Sequence, residues 1–490
     1  MNNVLKGLEP ARVYHYFEEI CQIPRPSKKE EKIAAYLMDF GKQHNLDTMM
    51  DKTGNVIIRK PATKGMENRK SVVLQSHIDM VCEKNSDVEH NFDTDAIQPY
   101  IDGEWIKAKG TTLGADDGIG IAAQLAILEA TDIAHGPIEC LFTVDEETGL
   151  TGAFGLDSGI LKSTILLNLD SEDEGEIFIG CAGGKDTVIT LPCTFEKNTL
   201  QTEGFLVKVS GLKGGHSGDD INKGLGNANK ILNRLLWISA KEFGLRLSNF
   251  NAGNLRNAIA REGTAVVAIP TGKKKEFSSF VKEYNNTLRA EYKITEPDLR
   301  IGSSETENPV QLMDEKTQYT LLNSLYACPH GVIAMSASIP NFVETSTNLA
   351  SVRTKETTIE ITTSQRSSVE SAKHDAANMV VSVFNLAGGK SVHSDGYPGW
   401  TPNPDSEILE ISKAAYERLY GKSPKVLAIH AGLECGLIGE KYPKMDMISY
   451  GPTLRGVHSP DERLNIETTK KFWDFTLEIL KNIPEDRAIA

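Results

Sequence analysis

Residues 119–144, IGIAAQLAILEATDIAHGPIECLFTV, place a long apolar helical pattern shortly before an apolar strand. The segment IGIAAQLAILEA (119–130) predicts a continuous helix, and IECLFTV (138–144) predicts a strand. Similar strand-like runs occur at SVVLQS (71–76) and TILLNL (164–169), and several of these runs are apolar without alternation. Because such runs are typical of strands covered by helices on both faces, the N-terminal third is predicted to be α/β.

The region before this stretch carries the pattern of a helix start. Ser27 and Glu30 have the spacing of a capping box, in which each side chain bonds to the backbone N–H of the other residue. Apolar residues follow at helical spacing: Ile33, Tyr36, Leu37 and Phe40. The sequence therefore predicts a helix that is capped by Ser27.

The middle of the chain has a different pattern. Alternating strands such as FLVKVS (205–210), TAVVAI (264–269) and TTIEITT (357–363) are interleaved with amphipathic helices near 223–243, 273–292, 314–327 and 367–386. This order predicts an α+β unit with helices on one face of a mainly antiparallel sheet. The stretch HSDGYPGWTPNPDS (393–406) is rich in Pro, Gly and Asp and is predicted to be a linker, after which α/β character returns.

These patterns predict one domain inserted into another. The predicted fold is α/β: a catalytic domain with a mixed sheet, formed by residues 1–185 and 396–490, and an inserted α+β lid domain at 186–395.

Composition excludes several classes of protein. Of the 490 residues, 40% are apolar and 24% are charged, which is globular and argues against a disordered or coiled-coil protein. The net charge of −14 argues against a nucleic-acid partner. The sequence has no 18-residue apolar run and no secretory signal pattern, so no membrane association is expected. Seven scattered cysteines without a Cys-x-x-Cys motif favour a reducing, cytoplasmic location.

Five short segments carry His and carboxylate side chains beside predicted strand ends or at a helix start. They are VVLQSHIDMV (72–81), TTLGADDGIG (111–120), FTVDEETGLTGAFGL (142–156), LLNLDSEDEGEIFIGCAGG (166–184) and GVHSPDERL (456–464). Each one taken alone is more typical of a solvated strand end, a helix N-cap or a surface loop. Taken together, two His and several carboxylates suit two Zn²⁺ ions, with Mn²⁺ or Co²⁺ as substitutes, and leave one carboxylate as a base.

The set of motifs resembles the co-catalytic zinc exopeptidases, a family that includes aminoacylase, succinyl-diaminopimelate desuccinylase, tripeptidase and the glutamate carboxypeptidases. The resemblance covers essentially the whole chain, and SHIDMVCEKN, TTLGADDGIGIA, DEETGLTGAFGL, GGHSGDDI, HAGLECG and GVHSPDERL are similar to its dipeptidase members. It implies two zinc ions per chain. It also implies that His77, Asp116, Glu147, Asp170 and His458 are the metal ligands.

The same resemblance implies how these residues divide the work. Asp116 bridges the two metals; Asp170 completes the site of His77, and His458 the site of Glu147. Asp79 orients His77, and Glu146 is the general base.

Four further residues are implied to handle the substrate. His216 in GGHSGDDI is expected to stabilise the oxyanion. Asn257 and Arg366 are expected to hold the C-terminal carboxylate, and Gly432 is expected to let the backbone approach the substrate. The alternative for each is an ordinary loop or strand-end residue.

The predicted function is hydrolysis of unblocked dipeptides with broad specificity, Xaa-His among them and β-alanyl-histidine as a candidate. A deacylase or a tripeptidase is the alternative on the same scaffold, and a binding protein without activity is the alternative from another class. The last is disfavoured because Glu146 and every expected ligand are present. The expected partners are a dipeptide and a second copy of the chain, with a monomer as the open alternative.

Overall fold

The computed structural model describes residues 4–486 and separates the chain into two units. Within the described residues, the first unit comprises 4–180, 402–428 and 433–486, and the second comprises Cys181–Thr401 and Ile429–Gly432. The second unit therefore lies between segments of the first along the chain.

The first unit is built on an eight-stranded mixed sheet with the strand order β1-β2-β6-β3-β7-β21-β8-β20. Its strands are β1 Asp47–Met50, β2 Val56–Lys60, β3 Val72–His77, β6 Ile138–Thr143, β7 Ile165–Asn168, β8 Glu176–Cys181, β20 Lys425–Ile429 and β21 Asp446–Ser449. A smaller sheet joins β4 Pro99–Asp102, β5 Trp105–Ala108, β22 Leu454–Arg455 and β23 Arg463–Asn465. The helices are α1 Ala11–Cys21, α2 Glu31–Gln43, α3 Ala115–Glu129, α4 Glu146–Gly149, α5 Thr151–Gly155, α10 Glu407–Tyr420, α11 Glu434–Lys441 and α12 Ile466–Lys481.

The centre of this sheet is parallel and fully buried. Strand β3 pairs in parallel with both β6 and β7, and every residue of the three strands is buried. Helix α3 packs on β3 and is itself buried along almost its whole length. The unalternating apolar runs are explained by this arrangement, because both faces of these strands are covered. Parallel pairing also brings the carboxyl ends of β3, β6 and β7 to one edge of the sheet.

The second unit is built on a nine-stranded antiparallel sheet. Its main order is β14-β11-β13-β12-β17-β18-β9-β19, and β16 pairs with β17 beside this path. Its strands are β9 Gly183–Pro192, β11 Thr202–Ser210, β12 Arg246–Gly253, β13 Gly263–Pro270, β14 Arg300–Thr306, β16 Gly331–Met335, β17 Val343–Thr354, β18 Thr358–Ser367 and β19 Lys390–His393. Strands β10 Phe195–Lys197 and β15 Gln311–Met313 form a separate pair. The helices are α6 Ala228–Phe243, α7 Lys274–Glu291, α8 Glu315–Ala327 and α9 Glu370–Leu386, and the 3₁₀ turn is Thr271–Lys273.

Along the strands of the second unit, buried apolar residues alternate with more exposed ones. One face of the sheet therefore packs against the helices. Phe205, Val207 and Val209 of β11 are buried, whereas Leu206 is half-buried and Lys208 is exposed. The buried set shares a core with apolar side chains of α6, α7, α8 and α9. The predicted α/β class, with a mixed sheet and an inserted α+β unit, is confirmed.

One local prediction is wrong, and another holds only in part. Ser27 does not cap α2, because its hydroxyl donates to Asp79 Oδ2 (2.7 Å), and α2 begins after Glu30 without a side-chain cap. The stretch 393–406 contains the boundary between the two units, after Thr401, but its first part is not a linker. Its residues Tyr397 and Trp400 form backbone bridges to β9 and to Cys181, so the segment is part of the second unit as far as Thr401. No helix within residues 4–486 has the length and apolar character needed to cross a membrane.

Candidate metal centre

The predicted metal ligands follow the ends of the parallel strands. His77 is the last residue of β3, Asp170 follows β7 by two residues, and Glu146 and Glu147 begin α4 after β6. Thr143 at the end of β6 pairs directly with His77, and Asn168 at the end of β7 pairs with Gln75. The strand register therefore brings these side chains together at the carboxyl edge of the sheet.

These residues form two three-residue clusters that share Asp116. His77 Nε2 lies 3.1 Å from Asp116 Oδ1 and 3.3 Å from Asp170 Oδ1. On the other side, His458 Nε2 lies 3.2 Å from Asp116 Oδ2 and 3.0 Å from Glu147 Oε2. Within each cluster one ligand atom from every residue lies within 4.8 Å of the others. The two oxygens of Asp116 thus face two different sets of ligands.

The donors fit two divalent cations. Each cluster offers one imidazole nitrogen and two carboxylates, a set that Zn²⁺ accepts and that leaves room for further ligands. Glu147 Oε1 is buried and has no hydrogen-bond donor among residues 4–486. Within that range the ion pairs of Asp116, Asp170 and Glu147 are formed with His77 and His458 alone. Bound divalent cations would balance the negative charge of a carboxylate cluster this poor in cationic side chains.

Residues 73–482 match the pattern of peptidase family M20/M25/M40. The chain belongs to this family. It is 46% identical over 480 residues to the cytosol non-specific dipeptidase of Escherichia coli strain K12, covering 98% of this chain and 99% of that protein. The crystal structure of aminoacylhistidine dipeptidase from Vibrio alginolyticus is 47% identical, with a TM-score of 0.93 and 98% of each chain covered. The aminopeptidase PepT structure from Bacillus cereus shares the fold, with a TM-score of 0.57, 17% identity and 97% and 99% coverage.

The family resemblance seen in the motifs is thereby confirmed.

In this M20-family chain, Asp79 joins His77 to the start of α4. Its Oδ1 lies 3.2 Å from His77 Nδ1 and accepts a hydrogen bond from Glu146 N (3.0 Å). Its Oδ2 accepts from Glu147 N (3.2 Å) and from the Ser27 hydroxyl. Asp79 is fully buried. The contact with Nδ1 favours the tautomer that keeps its proton there, so Nε2 is free to bind a metal.

The pKa values of the histidines and carboxylates in this cluster depend on the charges that surround them. Burial alone would lower the pKa of His77, but Asp170, Asp116 and Asp79 outweigh it and raise that pKa well above its ordinary value. Hydrogen bonds to Asp116 and Glu147 raise the pKa of His458 to about 11. Burial raises the pKa of Asp170 to about 7. The cluster therefore holds either protons or cations, and metal binding releases protons.

Glu462, for which no motif predicted a role, supports the loop that carries Asp116. Its buried carboxylate accepts hydrogen bonds from the N–H groups of Leu113 (2.7 Å), Gly114 (3.0 Å), Ala115 (2.8 Å) and Asp116 (3.4 Å). Glu462 belongs to the same GVHSPDERL segment as His458. The acidic residue within that motif is the sequence signal from which a role for Glu462 could have been predicted.

A second buried carboxylate, that of Glu434, connects the two central strands β3 and β6 through hydrogen bonds. Glu434 Oε2 accepts from Gln75 Nε2 (2.6 Å) on β3 and from Thr143 Oγ1 (2.7 Å) on β6. Gln75 Oε1 in turn accepts from Asn168 Nδ2 (2.6 Å) on β7. Burial raises the pKa of Glu434 to about 7. The HAGLECG motif contains this residue, but only the fold shows that it faces β3 and β6.

In the second unit, two of the predicted substrate residues meet. Arg366 Nη2 lies 3.4 Å from His216 Nε2, and Nη1 donates to the Tyr397 hydroxyl (3.0 Å). The other imidazole nitrogen of His216 lies 3.3 Å from Asp219 Oδ2. His216 and Arg366 thus form one polar cluster with Tyr397, a residue for which no motif predicted a role.

The two remaining predicted residues have different surroundings. The side chain of Asn257 is exposed, and its backbone oxygen accepts from Ser217 N (2.8 Å), next to His216. At Gly432 an added Cβ would lie 2.9 Å from the Tyr397 ring. Two residues earlier, the buried His430 bonds to Ser346 Oγ (2.7 Å), and burial lowers its pKa to about 4. This imidazole is therefore neutral at pH 7.

Proposed function

We propose that this chain hydrolyses unblocked dipeptides and that it uses two divalent metal ions for the reaction. Zinc is the proposed metal. The observation that carries the proposal is the shared Asp116, whose two oxygens face His77 with Asp170 and His458 with Glu147. Two metals held at such a pair of sites supply an acidified water and polarise the scissile carbonyl. The relatives' names, cytosol non-specific dipeptidase and aminoacylhistidine dipeptidase, support the choice of substrate.

Glu146 is proposed to be the general base that takes a proton from the attacking water. One of its carboxylate oxygens lies within 4.8 Å of ligand atoms of both His77 and Glu147, which belong to different clusters. Its backbone is held by Asp79. A carboxylate in that position accepts a proton from the attacking water and returns it to the leaving amine.

The second unit is proposed to act as a lid that recognises the substrate. His216 is proposed to stabilise the oxyanion, and Arg366, with Asn257, to hold the C-terminal carboxylate. The support is the contact between Arg366 and His216 within one cluster. The first unit is proposed to be the catalytic domain. We also propose that the chain forms a homodimer and that it is located in the cytoplasm.

A substrate panel tests the proposal. The metal-free protein, prepared with a chelator, is expected to be inactive and to regain hydrolysis of dipeptides such as Xaa-His when Zn²⁺, Mn²⁺ or Co²⁺ is added. N-acetylated dipeptides and tripeptides are the controls. Preference for the acetylated substrates would make the chain a deacylase, and preference for tripeptides would make it a tripeptidase. The absence of all three activities from metal-loaded protein would refute a peptidase role.

A further inference from the structure

Tyr397 lies in a slot between two glycines of the second unit. A Cβ added at Gly184 would lie 2.7 Å from the tyrosine ring, and one added at Gly432 would lie 2.9 Å from it. Both distances are below any normal carbon–carbon contact. Neither glycine has a positive φ. Close approach of the ring, and not backbone conformation, is therefore what requires glycine at both positions.

The backbone of Tyr397 is fixed as firmly as its ring. Tyr397 N donates to Gly184 O (2.9 Å), and Gly184 N donates to Tyr397 O (3.1 Å). The same carbonyl accepts from Lys373 Nζ (2.6 Å), a buried ammonium on α9. Gly184 is also the register partner of Arg366 in the β9–β18 pair. The phenol hydroxyl is thus held at a set position relative to Arg366.

Arg366 is a buried cation with one nitrogen occupied by this phenol. Nη1 donates to the Tyr397 hydroxyl (3.0 Å), and Nη2 lies 3.4 Å from His216 Nε2. Nε is buried and has no acceptor among residues 4–486, and no carboxylate in that range forms an ion pair with Arg366. Nε and Nη2 lie on one edge of the planar guanidinium, and that edge matches the two oxygens of a carboxylate.

We propose that Tyr397 is a positioning residue that, by occupying Nη1, turns the Nε–Nη2 edge of Arg366 towards the substrate's C-terminal carboxylate. The inference rests on the proposed dipeptidase function. Gly184 and Gly432 allow Tyr397 to take this position, because neither has a side chain in the space that the tyrosine ring occupies. Gly432 thereby acquires a different role from the one the motif implied, since its missing side chain makes space for Tyr397.

Removal of the hydroxyl alone tests the proposal. Tyr397→Phe keeps the ring in its slot and is expected to raise KM for dipeptides about tenfold, the scale of one hydrogen bond to a charged group, with kcat changed less than twofold. The matched control is Tyr284→Phe, which removes a buried tyrosine hydroxyl that bonds to Ile231 O (2.9 Å) in the same unit. It is expected to leave both constants unchanged.

A double variant separates positioning from general structural support. If Tyr397 acts through Arg366, Tyr397→Phe adds less than a twofold effect to Arg366→Ala. An undiminished tenfold effect in the Arg366→Ala background would overturn the inference, as would a Tyr397→Phe enzyme with unchanged KM or with a loss confined to kcat.

The glycine slot supplies an independent variant. Gly432→Ala is expected to raise KM as Tyr397→Phe does, because the new methyl group displaces the ring. Gly302→Ala is the control, since a Cβ there meets nothing within 4 Å. An unchanged KM in Gly432→Ala would refute the slot. A wild-type enzyme that hydrolyses no dipeptide overturns the proposed function itself, whereas an active wild type with unaffected variants overturns this inference alone.

Discussion

Glu462→Gln should destabilise the loop that carries Asp116, the proposed bridging ligand. The two oxygens of Glu462 accept four backbone N–H groups, so an amide, which has one oxygen and one donor nitrogen, leaves two of the four without an acceptor. In the less costly orientation of the amide, the N–H groups of Ala115 (2.8 Å) and Asp116 (3.4 Å) lose their acceptor. An unsatisfied buried N–H costs about 1–3 kcal/mol, partly offset here because a neutral amide is cheaper to bury than a carboxylate.

The expected net loss is about 2–4 kcal/mol of unfolding free energy. For a unit of this size that corresponds to a fall of about 4–8 °C in the thermal midpoint. Scanning calorimetry at pH 8 on metal-free protein measures it without a contribution from bound metal. A chelator competition then measures metal affinity, which should also fall, because Asp116 is held less firmly.

Glu467→Gln is the control for this experiment. Glu467 lies in the same region of the chain but is exposed, and among residues 4–486 its only ion pair is with Lys471, at 2.8 Å on the surface of α12. A surface pair of this kind contributes less than about 1 kcal/mol. A Glu462→Gln midpoint equal to that of Glu467→Gln would show that the four hydrogen bonds do not stabilise the Asp116 loop.

Three further predictions concern the proposed roles. Glu146→Gln should remove nearly all turnover while elemental analysis still finds two metals per chain; loss of metal would exchange the roles of Glu146 and Glu147. Asp116→Ala should lose metal together with activity, because two close cations repel without an anion between them, and a variant that retains two zinc ions would refute the bridge. His216→Ala should lower kcat about 10²–10³-fold at unchanged metal content. Activity that returns on mixing His216→Ala with Glu146→Gln chains would show that His216 serves a neighbouring subunit, and no return would show that it serves its own chain.

Local sequence patterns were sufficient to predict the central strands of the first unit. The apolar runs at 71–76, 138–144 and 164–169 became β3, β6 and β7, because burial on both faces leaves a signal within each strand. His77 and Asp170 stand at or just beyond such strands, but their roles as metal ligands were predicted from the family resemblance and not from the strand pattern. Helix ends were less predictable: α6 begins only at Ala228, where the Asn227 side chain accepts from the N–H groups of Asn229 and Lys230.

Contacts between distant loops were decided only by the tertiary structure. Ser27 has the spacing of a helix cap, yet Asp79, 52 residues away, takes its hydroxyl. Glu462 reaches N–H groups 346 to 349 residues earlier in the chain, and Tyr397, in a stretch that reads as a linker, fills a slot between Gly184 and Gly432. Sequence periodicity reports which face of an element is buried. It does not report which distant donor meets which acceptor, because that depends on where the folded chain returns.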